Sequence, residues 1–119
     1  MRTQKTFALI LGIVLLLVGV LGFVGDGFGI VRNGIFGTNA LQDGLHIIAG
    51  LIGIWIGLKG EGPGYNMVLG WIALVLGVLG FIPTVDTMLA NYLNINTNIS
   101  ILHIVIGVVT LGVYYFTEK

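Results

Sequence analysis

Residues 11–24 read LGIVLLLVGVLGFV and residues 69–82 read LGWIALVLGVLGFI. Set against each other without a gap, eight of fourteen positions are identical, including Gly12/Gly70, Gly19/Gly77, Gly22/Gly80 and Phe23/Phe81. Apolar composition makes some identity unremarkable, so the flanking sequence decides whether this is a duplication. Asn39, Leu45, His46, Ile47 and Gly50 recur as Asn96, Leu102, His103, Ile104 and Gly107, with the same spacing from asparagine to histidine to glycine. A polar spacing found twice is not a product of composition. The chain reads as one domain over residues 1–119, made of two tandem copies, about 5–58 and 63–116.

Each copy holds two apolar runs, 7–24 and 41–58 in the first, 67–82 and 99–116 in the second. At 1.5 Å per residue such a run extends roughly 27 Å as a helix, near the hydrocarbon thickness of a bilayer. Helices satisfy their own backbone in lipid. The runs are continuous rather than alternating, which argues against the strands of a barrel. The expected fold is an all-α membrane protein, a four-transmembrane-helix bundle built from two tandem parallel helical hairpins. Each copy holds an even number of spans, so both insert the same way round and are related by an axis along the membrane normal. Arg2 and Lys5 precede the first run as they would in a secretory signal, but the run exceeds the typical ~7–15-residue signal core. Its twin at 69–82 lies in mid-chain, where a signal has no place.

Composition narrows the function classes. Hydrophobic residues form 56 % of the chain and charged residues 8 %, against roughly 25 % charged in a soluble domain. Five basic residues balance five acidic ones, and no basic patch points to nucleic acid. The absence of cysteine excludes disulfides, iron–sulfur clusters, thiolate zinc sites and a cysteine nucleophile. Ser100 is the only serine, too little for a hydrolase site with two histidines and Asp43 as its companions. No ionisable residue falls at mid-membrane and no proline breaks a run near its middle, which speaks against a proton pump or an ion-coupled transporter.

Orientation follows from basic residues. Arg2, Lys5, Lys59 and Lys119 fall on one side and Arg32 on the other, so both termini are expected in the cytoplasm. The inner connection, KGEGPGY at 59–65, is a tight Gly/Pro turn. The outer loops, 25–38 and 83–97, are longer. In the second, Asp86 is expected to cap a short surface helix ending at Leu93. Asp26, Arg32 and Asp86 read as solvated loop residues. Trp55, Tyr65, Trp71, Tyr114, Tyr115 and Phe116 gather near the inner boundary, as an aromatic belt does.

On a helical wheel Asn39, Asp43, His46, Gly50, Gly53 and Gly57 share one narrow stripe, as do Asn96, Ser100, His103, Gly107, Thr110 and Tyr114. Polar groups facing lipid are costly, so both stripes are expected to face inward. Gly12, Gly19 and Gly22 on the first run, and Gly70, Gly77 and Gly80 on the third, form matching small-residue stripes. Together with Gly50, Gly53, Gly57 and Gly107 they are candidate close-packing positions.

His46 and His103 each lie seven residues beyond an asparagine expected to cap its helix, so both sit about 10 Å below the outer surface. Several chemistries fit such a pair. Asp43 lies one turn from His46 and Ser100 one turn from His103, offering structural hydrogen bonds. A histidine followed by glycine four residues on leaves room for a tetrapyrrole, and two at one depth suit heme or chlorophyll ligation. With Asp43 the pair supplies three metal ligands. Histidine also suits proton transfer.

On the LLVGVLGF segment of the first run, Asn39-x6-His46-x3-Gly50 and Asn96-x6-His103-x3-Gly107, the chain resembles the bacterial family named domain of unknown function 4383. The resemblance spans nearly the whole chain and implies a small four-helix membrane protein. Members often carry a further histidine and asparagine where this chain has Gln42 and Asp43, and polar residues near Ile99 and Ser100, so the polar cluster is thinner here. The family name implies no activity.

The expected function is that of a non-catalytic accessory or interaction subunit working through helix packing. Its expected partners are the lipid bilayer and other membrane subunits or a second copy, with no bound cofactor. The alternative is a heme- or chlorophyll-binding subunit of a respiratory or photosynthetic complex using His46 and His103.

Overall fold

The structure, a computed structural model, describes residues 2–119 and is all-helical. Five α-helices follow one another: α1 (Arg2–Leu21), α2 (Ala40–Lys59), α3 (Pro63–Leu79), α4 (Val85–Leu93) and α5 (Thr97–Phe116). Of these, α1, α2 and α5 are long and apolar enough to cross a membrane, while α3 is an apolar helix of 17 residues. One 3₁₀ turn, Gly27–Gly29, interrupts the first long loop.

Local chemistry sets the helix ends. The Asn39 side chain accepts from the Gln42 amide at 2.9 Å and opens α2. Asn96 does the same for α5 through the Ile99 amide, also at 2.9 Å. Pro63 stands in the first turn of α3, where its missing N–H removes nothing. The preceding Gly62 has φ +106, and a Cβ there would lie 2.6 Å from the Gln4 carbonyl, so only glycine fits. At α4 the residue in the capping position is Thr84 rather than Asp86; Asp86 lies inside the first turn and accepts from the Thr87 amide at 2.7 Å.

Packing follows the glycines. Helix α1 lies along α2 and α3 along α5, while α1 also touches α3 and α5. A Cβ at Gly12 would stand 2.6 Å from the Ile54 nitrogen, and one at Gly50 would stand 2.5 Å from the Leu16 nitrogen. In the other pair a Cβ at Gly107 would stand 2.6 Å from the Leu74 nitrogen, and one at Gly77 would stand 2.7 Å from both the Ser100 oxygen and the Ile104 nitrogen. Gly19 meets Asp43 and Ile47, Gly53 meets Tyr65, Gly57 meets Leu9 and Gly70 meets Leu111. Backbones at this distance admit no side chain between them. No comparable packing joins α2 to α3 or to α5.

The burial pattern is inverted relative to a protein in water. The largest fully buried side chains are Gln4, Asn66, Thr38, Thr110, Asp43 and Ser100. Leu17, Trp55, Leu58 and Phe116 are all more than half exposed. A surface of large aliphatic and aromatic side chains around polar contacts suits lipid as the surrounding medium.

Around the start of α1 a polar cluster ties α1, α3 and α5 together. Buried Gln4 donates through Nε2 to the Val113 carbonyl at 2.8 Å and to Thr117 Oγ1 at 2.7 Å, closing the last turn of α5. Asn66 Nδ2 donates to both the Gln4 carbonyl and Gln4 Oε1, each at 2.9 Å. By the spacing that relates Gly12 to Gly70, the counterpart of Gln4 is Gly62, which has no side chain to reach α2.

Candidate functional site

His46 projects from α2 and His103 from α5. Their ring centroids are 6.3 Å apart, with planes at 78°. His103 is buried and His46 half-buried. Neither Nδ1 has a hydrogen-bond partner. The local partners that the sequence offers do not engage. Asp43 packs against Gly22, just beyond α1, and makes no hydrogen bond to His46, and Ser100 stands against Gly80 with its hydroxyl unpaired.

The partner of Asp43 is Arg32. The guanidinium Nε donates to Asp43 Oδ2 at 2.6 Å, with the Asp43 side chain wholly buried. The expectation of a solvated Arg32 is therefore corrected. An unpaired buried carboxylate in the first turn of α2 is costly, and a loop arginine within reach neutralises it. Arg32 is held in place by its own backbone, whose N–H donates to Thr38 Oγ1 at 2.8 Å and whose carbonyl accepts from the Thr38 amide at 2.9 Å. Its guanidinium carbon also lies 5.0 Å from the centre of the Phe23 ring. With Asp43 so occupied, the metal set of two histidines and Asp43 does not converge. Among the described residues no group of three metal-ligating His, Cys, Asp or Glu exists.

Beside the histidines, asparagines latch the α1–α2 loop to the segment between α3 and α5. Asn39 Nδ2 donates to the Tyr92 carbonyl at 2.8 Å, and Asn96 Nδ2 donates to the Ile35 carbonyl at 3.1 Å. Asn94 adds bonds to the carbonyls of Thr38 and Arg32, at 2.7 and 3.1 Å. Gln42 donates to the Leu93 carbonyl at 2.8 Å and to the Gly37 carbonyl at 3.1 Å, while its Oε1 is buried without a donor.

Below the histidines an apolar cleft of about 680 Å³ runs between α2 and α3. Leu45, Ile52 and Ile56 form one wall, Val68, Ile72 and Leu76 the other, and Leu15 and Ile106 the floor. Toward the start of α2 its lining includes Gln42, His46 and His103, each with a buried polar atom that has no hydrogen-bond partner among the described residues. From the first turn of α3 Tyr65 reaches α2, its hydroxyl donating to the Ala49 carbonyl at 2.8 Å. Tyr65 is thus buried and turned inward, not part of an aromatic belt, because its hydroxyl finds a backbone acceptor inside.

Sequence reasoning did not single out Gln4, Asn66, Tyr65 or Arg32 for these roles. The available signal was polarity at the edge of an apolar run, which marks Gln4 and Asn66 as groups that need partners.

No curated protein and no solved structure matches the chain. The family model described as Domain of unknown function (DUF4383) matches residues 5–116. The chain belongs to that family.

Proposed function

We propose that this chain is a non-catalytic, four-span membrane subunit whose working part is the cleft between α2 and α3, a binding place for a molecule dissolved in the lipid phase. The observation that carries this reading is the pair of imidazoles, 6.3 Å apart and without protein partners at Nδ1, at the end of an otherwise apolar cleft. Polar groups within a membrane protein normally find partners. Both imidazoles line this cleft, which an apolar molecule with a polar end would fill.

In this reading α1, α2, α3 and α5 are the spans and α4 lies along the outer surface. The duplication draws support from matched contacts. Gly19 meets Asp43 and Ile47, and Gly77 meets Ser100 and Ile104, which are corresponding positions. The two asparagine latches also correspond, since the spacing from Asn39 to Asn96 carries Ile35 to Tyr92. Both ends lie in the cytoplasm. The one outer basic residue, Arg32, has its charge matched by Asp43, so the remaining positive charge lies on the inner side.

Work through contact with other membrane subunits or a second copy is a second reading. It is favoured by Gly44 and Gly112, helical glycines whose missing side chains would meet open space. Glycines 12, 19, 50, 53, 57, 70, 77 and 107 are already occupied within the chain. A tetrapyrrole subunit would use the same two histidines and is distinguished by its visible spectrum.

The test is occupancy of the cleft. Protein purified in a mild detergent is analysed intact by native mass spectrometry beside Ala73→Phe, which fills the cleft from α3. The wild type should retain an apolar molecule that the variant lacks. Equal retention by both would place any bound lipid elsewhere and remove the reading.

A further inference from the structure

Helix α4 has no buried residue; every side chain from Val85 to Leu93 is exposed or half-buried. Its start is weak as well, since Thr84 has φ +76 and caps no amide through its side chain. A helix of nine residues is marginal on its own in water, and within proteins such a helix persists by packing an apolar face. The side-chain hydrogen bonds that tie α4 to the rest of the chain lie at its C-terminal end. The carbonyls of Tyr92 and Leu93 accept from Asn39 and Gln42, each at 2.8 Å. The helix is thus tied in place without being packed.

Its sequence divides cleanly around the axis. At about 100° per residue Val85, Met88, Leu89, Tyr92 and Leu93 fall within an arc of roughly 140°, and Asp86, Thr87, Ala90 and Asn91 fall within the opposite arc. Part of the apolar arc turns to the protein, where Leu93 borders the cleft. The rest does not: Met88 is 53 % and Tyr92 71 % exposed. The other arc borders a groove with polar neighbours, Asn96, Thr97 and Ser100 at the start of α5.

The latches fix the level of this helix. Asn39 is the cap of α2, so Tyr92 lies where that long apolar helix begins. The connection from α3 exposes Val78, Phe81 and Ile82 too. The second latch runs from Asn96, the cap of α5, to the Ile35 carbonyl, and the Ile35 side chain is also exposed. Each latch therefore holds a large apolar side chain uncovered at the level of a helix cap. At that level a spanning helix leaves the hydrocarbon, and tyrosine, with an apolar ring and a polar tip, is a residue of that boundary.

From these features we infer that α4 lies in the head-group boundary of the bilayer, with Met88 and Tyr92 sunk among the first carbons of the lipid chains and Ala90 turned to water, and that Ile35 enters the same layer beside α5. The partner is a lipid surface, and the attraction is apolar. Helix α4 carries no basic residue, so anionic head groups are not selected. This rests on the reading of α1, α2, α3 and α5 as spans and assigns the medium that completes α4.

The chain has no cysteine, so nitroxide labels can be placed one at a time in the full-length protein, in liposomes of phosphatidylcholine. Met88→Cys, Ile35→Cys, Ala90→Cys and Leu51→Cys all start from exposed side chains. Collision of the label with oxygen or with a water-soluble nickel chelate therefore reports the surrounding medium. Oxygen should dominate at Met88 and Ile35, at a depth of about 5–10 Å below the phosphates, and nickel should dominate at Ala90. Leu51, midway along α2, should read deeper than either. Nickel access at Met88 equal to that at Ala90, with Leu51 deep, would overturn the placing of α4 and leave the spans intact. Nickel access at Leu51 would remove the spanning reading itself. Loss of both collisions at Met88 would mean that protein covers this face, and would overturn the lipid assignment in favour of a subunit contact.

Discussion

Arg32 Nε and Asp43 Oδ2 stand 2.6 Å apart and join the loop between α1 and α2 to the first turn of α2. One partner is wholly buried and the other 29 % exposed, so their loss is unequal. Arg32→Ala strands a carboxylate and should lower stability by about 3 kcal/mol. Asp43→Asn, which leaves a neutral group, should cost less. In the double variant the two effects should fall well short of adding, because the costly species is the unpaired charge. Unfolding in mixed micelles measures all three. Simple additivity would mean that the pair does not couple.

The close approaches at glycine predict a position-specific response. Gly12→Leu and Gly77→Leu each drive a side chain into facing backbone, and overpacking of this kind costs typically ~1–3 kcal/mol. Gly112→Leu meets open space and should be tolerated. Thermal inactivation of the monodisperse fraction on size exclusion ranks the three. Damage from Gly112→Leu equal to that from Gly12→Leu would point to a partner on that face of α5.

Gln4 is expected to matter more than its place near the N-terminus suggests. Gln4→Leu removes donors to Val113 and Thr117 and the acceptor for Asn66. Leaving buried partners unpaired costs roughly 1–3 kcal/mol. Hydrogen exchange should rise in the last turn of α5 and the first turn of α3, with little change at the outer loops. A rise spread evenly over the chain would contradict a local clasp.

Topology is directly measurable because the chain has no native cysteine. Thr3→Cys should be protected from an impermeant thiol reagent in intact cells, and Asn33→Cys should react. Both side chains are exposed in the fold, so protection reports the side of the membrane. Labelling of Thr3→Cys from outside would reverse the orientation.

The histidines separate the ligand classes. Purified wild type should show no Soret or chlorophyll band, and His46→Ala and His103→Ala should leave the visible spectrum flat. Each substitution should reduce lipid retention in the cleft. A coloured band lost in either variant would favour the tetrapyrrole subunit.

What could be read from the sequence was what depends on a single helix. The helical runs, the capping by Asn39 and Asn96, and the placing of His46 and His103 one helical register apart from their caps all follow from periodicity and local bonding. What depends on two segments meeting was not readable. Asp43 has His46 one turn away on the same stripe of α2, yet the carboxylate bonds to the loop guanidinium and not to the imidazole. Tyr65 lies in a cluster of aromatics that suits a membrane boundary, but its hydroxyl bonds to Ala49 in the interior. The cleft itself is a gap, and a gap leaves no pattern in the residues that border it.

The mismatch between Gln4 and Gly62 has a consequence for stoichiometry. The proposed duplication would offer two corresponding seams, one between α2 and α3 and one between α5 and α1. Gln4 draws the second seam shut by holding the end of α5, while Gly62, at the corresponding place, has nothing with which to hold α2. On the proposed reading of the cleft, the chain should therefore saturate at one bound molecule, not two, with Gln4 in the first turn of α1 holding the other seam closed.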